Sequence, residues 1–218
     1  MKKIIILGAS GGCLDVIDII EQINAKKKIY KIIGLLDDKI KKNIEFPNYE
    51  LLGKFDDVKK YKDKKDVFFV TGIGNDKNFL KKEKIIKRLN INKKKFITLI
   101  HPDSIISKNV TIGNGNIIHN NVSIGRNVII EDYCNILPNV TIGHNSKIGS
   151  LNIINASVAI SGNTHIKKNC YIGTGALIRD HIKIEENVLI GMGSVITKNI
   201  ETKKIIIFNK RKVHKKLI

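Results

Sequence analysis

The chain has 218 residues, with 39 Lys and Arg against 20 Asp and Glu, and its net charge is +19. Because 42% of the residues are hydrophobic, the sequence can form one or two ordinary cores and is not a disordered polycation. No apolar run approaches the roughly 20 residues of a membrane span, and the first residues lack the apolar region and cleavage site of a signal peptide. We therefore expect a soluble, cytoplasmic protein.

Apolar runs alternate with helical patterns over the first hundred residues, which is typical of a small Rossmann-like α/β domain with a parallel sheet. The expected elements are a strand over Lys2–Leu7, a helix over Leu14–Ile23, strands over Ile32–Leu36 and Asp66–Val70, a basic helix over Lys77–Leu89 and a last strand over Phe96–Ile100.

The turn Gly8–Gly12 reads Gly-Ala-Ser-Gly-Gly and joins the first strand to the first helix. Unpaired N–H groups at the N-terminus of a helix attract phosphate, so the turn favours a phosphate-bearing ligand. The spacing is not Gly-x-Gly-x-x-Gly, and it supports NAD only weakly. Asp37 and Asp38 follow the second strand, where a doubly wound fold places an acid near its ligand, although a solvated loop pair is the alternative.

Residues 104–199 divide into sixteen successive hexads, and the third position of every hexad is Ile, from Ile106 to Ile196. A period of six fits neither a helix nor a plain strand, but it fits a short strand followed by a corner. Gly frequently follows this Ile, which suits a tight corner. The pattern predicts an all-β solenoid with stacked Ile ladders as its core, and hence two abutting domains, 1–100 and 101–218, the second with a short basic tail.

The motifs that precede and form the repeat occur in one order: Gly8–Gly12, Asp37-Asp38, Gly74-Asn75, His101-Pro102 and then the hexads. This order resembles the sialic-acid O-acetyltransferase and nucleotide-linked 4-amino-sugar N-acetyltransferase family. The resemblance implies a left-handed parallel β-helix with three hexads per coil, in which 96 residues form a little over five coils. It also implies a homotrimer that binds a nucleotide sugar on the N-terminal domain and acetyl-CoA between neighbouring β-helices.

Matching the family's motifs implies the site residues. The nucleotide sugar would lie against Ser10, Gly11, Gly12, Asp37, Asp38, Gly74 and Asn75. The general base would be His144, two places after a hexad Ile, and Asn145 stands beside it where the family commonly has an acid. An amide can orient an imidazole but cannot stabilise the imidazolium as a carboxylate does.

The implied acetyl-CoA site comprises Ile153, Gly162, Gly173, Thr174 and Met192. Ile153 stands nine places after His144, where the family has a second His that helps to hold the thioester carbonyl. The oxyanion donor would then be a backbone N–H near Gly162 or Gly173.

The resemblance implies an acetyl-CoA-dependent N-acetyltransferase that acts on the amine of a UDP- or GDP-linked 4-amino-deoxy sugar for glycan or glycoprotein biosynthesis. An O-acetyltransferase of a sialic-acid-like sugar is one alternative. A catalytically inactive trimer that binds a nucleotide sugar is another, and Asn145 with Ile153 is its best support.

Other classes of function are disfavoured. The hexad region has no close His pair among His119, His144, His165 and His181, which argues against a zinc site. The lysines are not interleaved with aromatic residues and no nucleic-acid recognition motif occurs, so we expect no nucleic-acid partner. The three Cys residues are widely spaced and are expected to be small buried hydrophobes.

Overall fold

The computed structural model describes residues 1–9, 11–38, 48–75 and 77–206. The basic tail beyond residue 206 therefore lies outside the described residues, as does Ser10. No helix among the described residues is long and apolar enough to cross a bilayer.

The first unit is a four-stranded, all-parallel sheet in the order β3-β2-β1-β4 with two α-helices. Its elements are β1 (Lys2–Leu7), α1 (Gly11–Lys26), β2 (Tyr30–Leu36), β3 (Leu51–Gly53), β4 (Val67–Thr71) and α2 (Phe79–Leu89), with 3₁₀ turns at Phe55–Lys60 and Lys93–Lys95. Ile4 to Leu7 are fully buried because both faces of the sheet are covered. The expected α/β fold is thus confirmed, whereas β3 was not predicted.

The second unit contains eighteen two-residue strands among the described residues, arranged as three parallel sheets of seven, six and five strands. It is a left-handed β-helix. The strands β5 to β22 are Leu99–Ile100, Ile105–Ile106, Thr111–Ile112, Ile117–Ile118, Ser123–Ile124, Ile129–Ile130, Asn135–Ile136, Thr141–Ile142, Lys147–Ile148, Ile153–Ile154, Ala159–Ile160, His165–Ile166, Tyr171–Ile172, Leu177–Ile178, Lys183–Ile184, Leu189–Ile190, Val195–Ile196 and Ile205–Ile206.

Each coil takes eighteen residues, because residues such as Ile124, Ile142 and Ile160 pair in one ladder. The Ile at the third hexad position points inward, and these side chains form one continuous buried cluster. The last coil is shorter, since Ile184 pairs with Ile200, only sixteen residues further on. The register inferred from the hexads is therefore correct up to this final coil.

The corners differ from the expectation in their chemistry. The backbone is left-handed at the sixth hexad position in fifteen of the sixteen hexads, where Asn is the commonest residue. Asn tolerates this conformation better than other residues with a Cβ. Glycines at the fourth position serve a different purpose: a Cβ on Gly143 would lie 2.5 Å from the nitrogen of Gly162 in the next coil. Their role is close approach between coils rather than turning.

The three faces of the β-helix present different outward side chains. We call them the covered face (β5, β8, β11, β14, β17, β20 and β22), the aliphatic face (β6, β9, β12, β15, β18 and β21) and the charged face (β7, β10, β13, β16 and β19). The α/β domain packs on the covered face, where Leu99, Ile117 and Ile153 are at most 2% exposed. The charged face carries a ladder of Lys147, His165 and Lys183.

The segment Phe96–Ile100, expected as a last strand of the α/β sheet, divides between the two units. Phe96 forms a single bridge to Phe69 in β4, whereas Leu99–Ile100 pairs with Ile117–Ile118 as the first strand of the β-helix. No linker separates the units. The boundary at residue 100 stays a prediction.

Lys82 joins the two units from inside. It lies on α2 and is only 1% exposed, and its Nζ donates to the carbonyl oxygen of Tyr133 at 2.7 Å. Burial lowers the pKa of Lys82 to about 8, although the nearby Cys134 acts in the opposite direction. The unfolded chain therefore binds a proton between about pH 8 and 10.5 that the folded chain does not hold, and this difference makes stability rise with pH in that window.

We expect Lys82→Met to remove this pH dependence. The gain in unfolding free energy over wild type should be largest below pH 8, at most roughly 3 kcal/mol before the loss of the Tyr133 hydrogen bond, and should shrink towards pH 10.5. Urea unfolding at several pH values measures it, with Lys81→Met on the exposed side of α2 as the control. Parallel pH curves for wild type and Lys82→Met would contradict the assignment.

Candidate active site

His144 lies at the corner between the aliphatic and charged faces, which we call the His144 edge. Its imidazole ring extends over Gly162 of the next coil, and a Cβ on Gly162 would lie 2.8 Å from both Cε1 and Nε2 of the ring. A glycine at this position leaves the space that the ring occupies. The side chain is exposed, and no described residue makes a hydrogen bond with its Nε2 atom.

Asn145 fixes the other side of the ring. Its Nδ2 atom is 3.1 Å from His144 Nδ1, and its backbone is left-handed with φ of 58°. Above and below it, Asn127 and Asn163 occupy the same left-handed corner position and contact its amide. The structure therefore brings the two expected catalytic residues, His144 and Asn145, into direct contact.

The two glycines proposed as oxyanion donors differ. The N–H of Gly173 donates to the carbonyl oxygen of Ile190 at 2.7 Å and is occupied. The N–H of Gly162 has no acceptor among the described residues, and Gly162 lies directly against the His144 ring. Of the two, only Gly162 has a free donor beside the expected base.

Gly173, Thr174 and Met192 lie at a different corner, between the covered and aliphatic faces, which we call the Met192 edge. Thr174 and Met192 are exposed there, and the Thr174 carbonyl accepts from Gly193 of the next coil. Ile153 belongs to neither edge, because it is buried on the covered face against Gly74 of the α/β domain. The five residues expected around acetyl-CoA thus lie at three places of one chain.

The expected nucleotide residues cluster at the carboxyl ends of β1, β2 and β4. The Asp37 carboxylate accepts from the N–H of Ala9 at 2.8 Å, and the backbone of Gly12 approaches that of Gly72 so closely that a Cβ on Gly12 would lie 3.2 Å from the Gly72 oxygen. Gly11 starts α1, and nothing lies within 4 Å of where its Cβ would be. The N-terminus of this sixteen-residue helix is open at Gly11, which suits an anionic ligand.

Asp38 and Asn75 have structural partners. Burial alone would raise the pKa of Asp38, but hydrogen bonds from the Arg88 guanidinium and the Phe55 N–H hold it below its usual value. Asn75 accepts from the N–H of Lys77 just before α2, and the left-handed Gly74 beside it packs on Ile153. Sequence reasoning missed Arg88, because a basic residue within a basic helix carries no local signal.

Burial shifts the pKa of two other titratable groups, His119 and Cys13. His119 is buried, which lowers its pKa, although its Nε2 lies 3.0 Å from Asn135 Oδ1. Burial raises the pKa of the Cys13 thiol to about 12, with Asp37 adding to the effect, so it is not a nucleophile. All three cysteines are buried and free, which confirms the expectation. Among the described residues no group of three or more His, Cys, Asp or Glu could hold a metal ion.

Within one chain the open turn and His144 face away from each other. The α/β domain covers one face of a triangular prism, and His144 lies on the edge opposite that face. A six-residue side of such a prism is roughly 15–20 Å long, given about 3.3 Å per extended residue. A ligand held at the turn would have to span at least this distance to reach the imidazole of the same chain.

Comparisons with known proteins agree with both units. The PglD N-terminal domain matches residues 3–89, and the bacterial transferase hexapeptide model (six repeats) matches residues 121–156 and 163–198. The UDP-N-acetylbacillosamine N-acetyltransferase of Bacillus subtilis (strain 168) is 45% identical over 53 residues. This stretch is 24% of this chain and spans only 23% of that relative.

Two solved structures resemble the whole chain. The acetyltransferase domain of PglB from Neisseria gonorrhoeae FA1090, also solved in complex with acetyl coenzyme A, has a TM-score of 0.81 at 22% identity and covers 96% of this chain and 98% of its own. A mutant of perosamine N-acetyltransferase from Caulobacter crescentus, in complex with CoA and GDP-perosamine, has a TM-score of 0.81 at 16% identity, with 95% and 94% covered. At these identities the likeness establishes the shared fold.

The contact between His144 and Gly162 is testable apart from any activity. Gly162→Ala should displace the imidazole and shift its NMR signals while leaving thermal stability nearly unchanged, because the new methyl group meets a movable ring. Gly149→Ala is the matched control: its Cβ would lie 2.8 Å from the Lys168 backbone nitrogen, so it should lower the melting temperature without moving the His144 signals. Equal effects of the two variants on the His144 signals would contradict this packing.

Proposed function

We propose that this chain is a member of the sialic-acid O-acetyltransferase and nucleotide-linked 4-amino-sugar N-acetyltransferase family, and that it transfers an acetyl group from acetyl-CoA to an amino sugar. The proposed acceptor is the 4-amine of a UDP- or GDP-linked deoxy sugar destined for a surface glycan or glycoprotein. Relatives named as N-acetyltransferases of UDP-bacillosamine-type and perosamine sugars support the choice of an amine.

The observation that carries the proposal is the exposed imidazole of His144, which has Asn145 on Nδ1 and no protein partner on Nε2. A general base must have one ring nitrogen held and the other open to the substrate. Among the described histidines, His119 is buried, whereas His144 meets both requirements at the position of the family's base.

In the proposed reaction the amine nitrogen attacks the thioester carbonyl carbon of acetyl-CoA, and a C–N bond forms. His144 Nε2 accepts the proton that the amine loses, and the carbonyl oxygen becomes an oxyanion. When the C–S bond breaks, the imidazolium returns the proton to the CoA thiolate, so the products are the acetamido sugar and free CoA. The unpaired N–H of Gly162 is the donor proposed for the oxyanion.

The α/β domain has the proposed role of holding the nucleotide. The open N-terminus of α1 at Gly11 and Gly12 offers backbone N–H groups and the helix dipole to a diphosphate. Asp37 shapes this turn through its bond to Ala9, and it lies where an acid meets the ligand in doubly wound folds. Asp38 would act through its fixed position beside Arg88.

We assign the aliphatic face to a homotrimer interface. Its outward residues are Ile105, Ser123, Thr141, Ala159, Leu177 and Val195, with no charge among them. Ile105, Leu177 and Val195 are 69%, 48% and 60% exposed in one chain. An exposed stripe that is uncharged and largely apolar is typical of a protein interface. The charged and covered faces offer no such surface.

A ring of three chains with the aliphatic faces inward would also complete the site. The His144 edge of one chain would then meet the Met192 edge of the next, since these two edges flank the aliphatic face. His144 and Gly162 of one chain would lie near Thr174 and Met192 of its neighbour and on the side of that neighbour's α/β domain. This arrangement resolves the separation of turn and base within one chain. We propose that the enzyme acts in the cytoplasm, because acetyl-CoA and nucleotide sugars are present there.

We expect His144→Gln to lower kcat by about 10²–10⁴-fold with little change in KM, because the general base is lost while binding groups remain. The assay follows release of the CoA thiol with UDP- and GDP-linked 4-amino sugars and with sialic-acid-like acceptors. His181→Gln, an exposed His further along the same edge, is the control and should retain full activity. Undiminished activity of His144→Gln would refute the assigned base, and transfer only to hydroxyl acceptors would favour O-acetylation.

The trimer has its own test. Leu177→Lys places a charge on the aliphatic face, so we expect sedimentation to show monomers and the assay to show loss of activity, because each proposed site needs two chains. Ile129→Lys on the charged face makes the same chemical change at a side chain 39% exposed and should leave both measurements unchanged. A fully active monomeric Leu177→Lys variant would exclude the shared site.

A further inference from the structure

Three asparagines form a ladder beside His144. Asn127 Nδ2 donates to Asn145 Oδ1 at 3.0 Å, and Asn145 Nδ2 donates to Asn163 Oδ1 at 3.3 Å. The same Asn145 Nδ2 faces His144 Nδ1 at 3.1 Å. The three residues are eighteen apart in sequence and share the left-handed corner conformation, with φ of 61°, 58° and 56°. We call Asn127, Asn145 and Asn163 the amide ladder.

The direction of the amide ladder decides where His144 carries its proton. An amide accepts at its oxygen and donates at its nitrogen, and a neutral imidazole has one donor and one acceptor nitrogen. When the ladder runs from Asn127 to Asn163, Asn145 presents a donor to His144 Nδ1, so the ring proton lies on Nε2. When all three amides turn over, Asn145 presents its oxygen, so Nδ1 carries the proton and Nε2 is the free base.

Both directions satisfy every amide within the ladder. After reversal, Asn163 would donate to Asn145 and Asn145 to Asn127 through the same pairs of positions, and the ring would donate to the Asn145 oxygen. One amide cannot turn alone, because two nitrogens or two oxygens would then face each other across about 3 Å. The tautomer of His144 is therefore coupled to residues one coil below and one coil above it.

We propose that Asn127 and Asn163 are positioning residues that act through Asn145 and set the tautomer of His144, with the reversed ladder as the form that makes Nε2 basic. The inference rests on the proposed function only for its effect on rate, since the tautomer exists with or without turnover. A carboxylate beside a catalytic His fixes the imidazole tautomer through its negative charge. The amide ladder would fix the tautomer through the direction of its hydrogen bonds. Asn also suits the left-handed corner, so one residue type serves the fold and the tautomer.

Two aspartate variants separate the two directions. A carboxylate only accepts, so Asn127→Asp should draw Asn145 Nδ2 towards residue 127 and turn the Asn145 oxygen to the ring, which puts the proton on Nδ1. Asn163→Asp should draw Nδ2 towards residue 163 and put the proton on Nε2. Both variants add the same charge next to the same amide, and Asp tolerates the left-handed conformation. Asn187→Asp, at a left-handed corner between the charged and covered faces, controls for charge and folding, because Asn187 Oδ1 also accepts from a neighbouring Asn, Asn169.

The ¹⁵N chemical shifts of the His144 ring nitrogens in the intact protein, recorded where the ring is neutral, measure the tautomer. We expect opposite tautomers in Asn127→Asp and Asn163→Asp, and a kcat at least tenfold lower in Asn163→Asp than in Asn127→Asp. The Asn187→Asp spectrum should match wild type. The same tautomer in both ladder variants would overturn the proposal, as would equal kcat values alongside opposite tautomers. If no acceptor is acetylated by wild type, the proposed function fails while the ring spectra still decide the tautomer.

Discussion

The close stacking of eighteen-residue coils is the constraint on which this molecule depends. Parallel strands of adjacent coils lie only about 4.8 Å apart, so each corner side chain contacts the corner residues of the next coil. Gly143 has no side chain because the nitrogen of Gly162 occupies that space, and Gly162 has none because the His144 ring lies there. The His144 ring is thus held by the same geometry that stacks the core isoleucines.

Stacking also explains why the candidate site residues of the β-helix lie mainly at its corners, on the His144 edge and the Met192 edge. The inward position is aliphatic in every coil, and the outward position of the covered face is buried against the α/β domain. His144, Asn145, Thr174 and Met192 all lie at corners. The α/β domain occupies the covered face, and His144 lies on the opposite edge. In the proposed trimer the two halves of the proposed chemistry would meet through a neighbouring chain.

Much of the fold could be predicted because each hexad of the sequence corresponds to one side of a coil in the β-helix. The Ile at the third position of every hexad predicted the strand register and the core of the β-helix. The alternation of apolar runs and helical patterns over the first hundred residues predicted the parallel sheet. The prediction for the corner glycines was wrong, because conformational propensities describe the local backbone and carry no information on contacts between coils.

Lys82 and Arg88 were missed for a similar reason. In a chain with 39 Lys and Arg, nothing in the local sequence distinguishes a buried or paired cation from a solvated one. His144 was proposed from its motif, whereas Asn127 and Asn163, which contact its neighbour Asn145, come together only after coiling.

The strict coil length restricts how this protein can change in size. His144 meets Gly162, and Asn145 meets Asn127 and Asn163, only because eighteen residues separate equivalent positions. One inserted or deleted residue between Asn127 and Asn163 would move the following isoleucines off the core and take the ring away from its glycine. Insertions and deletions in this part of the chain are therefore expected only as whole coils or as loops that bulge outward from a corner. The contacts of His144 and Asn145 restrict the length of the repeat as strictly as the core does.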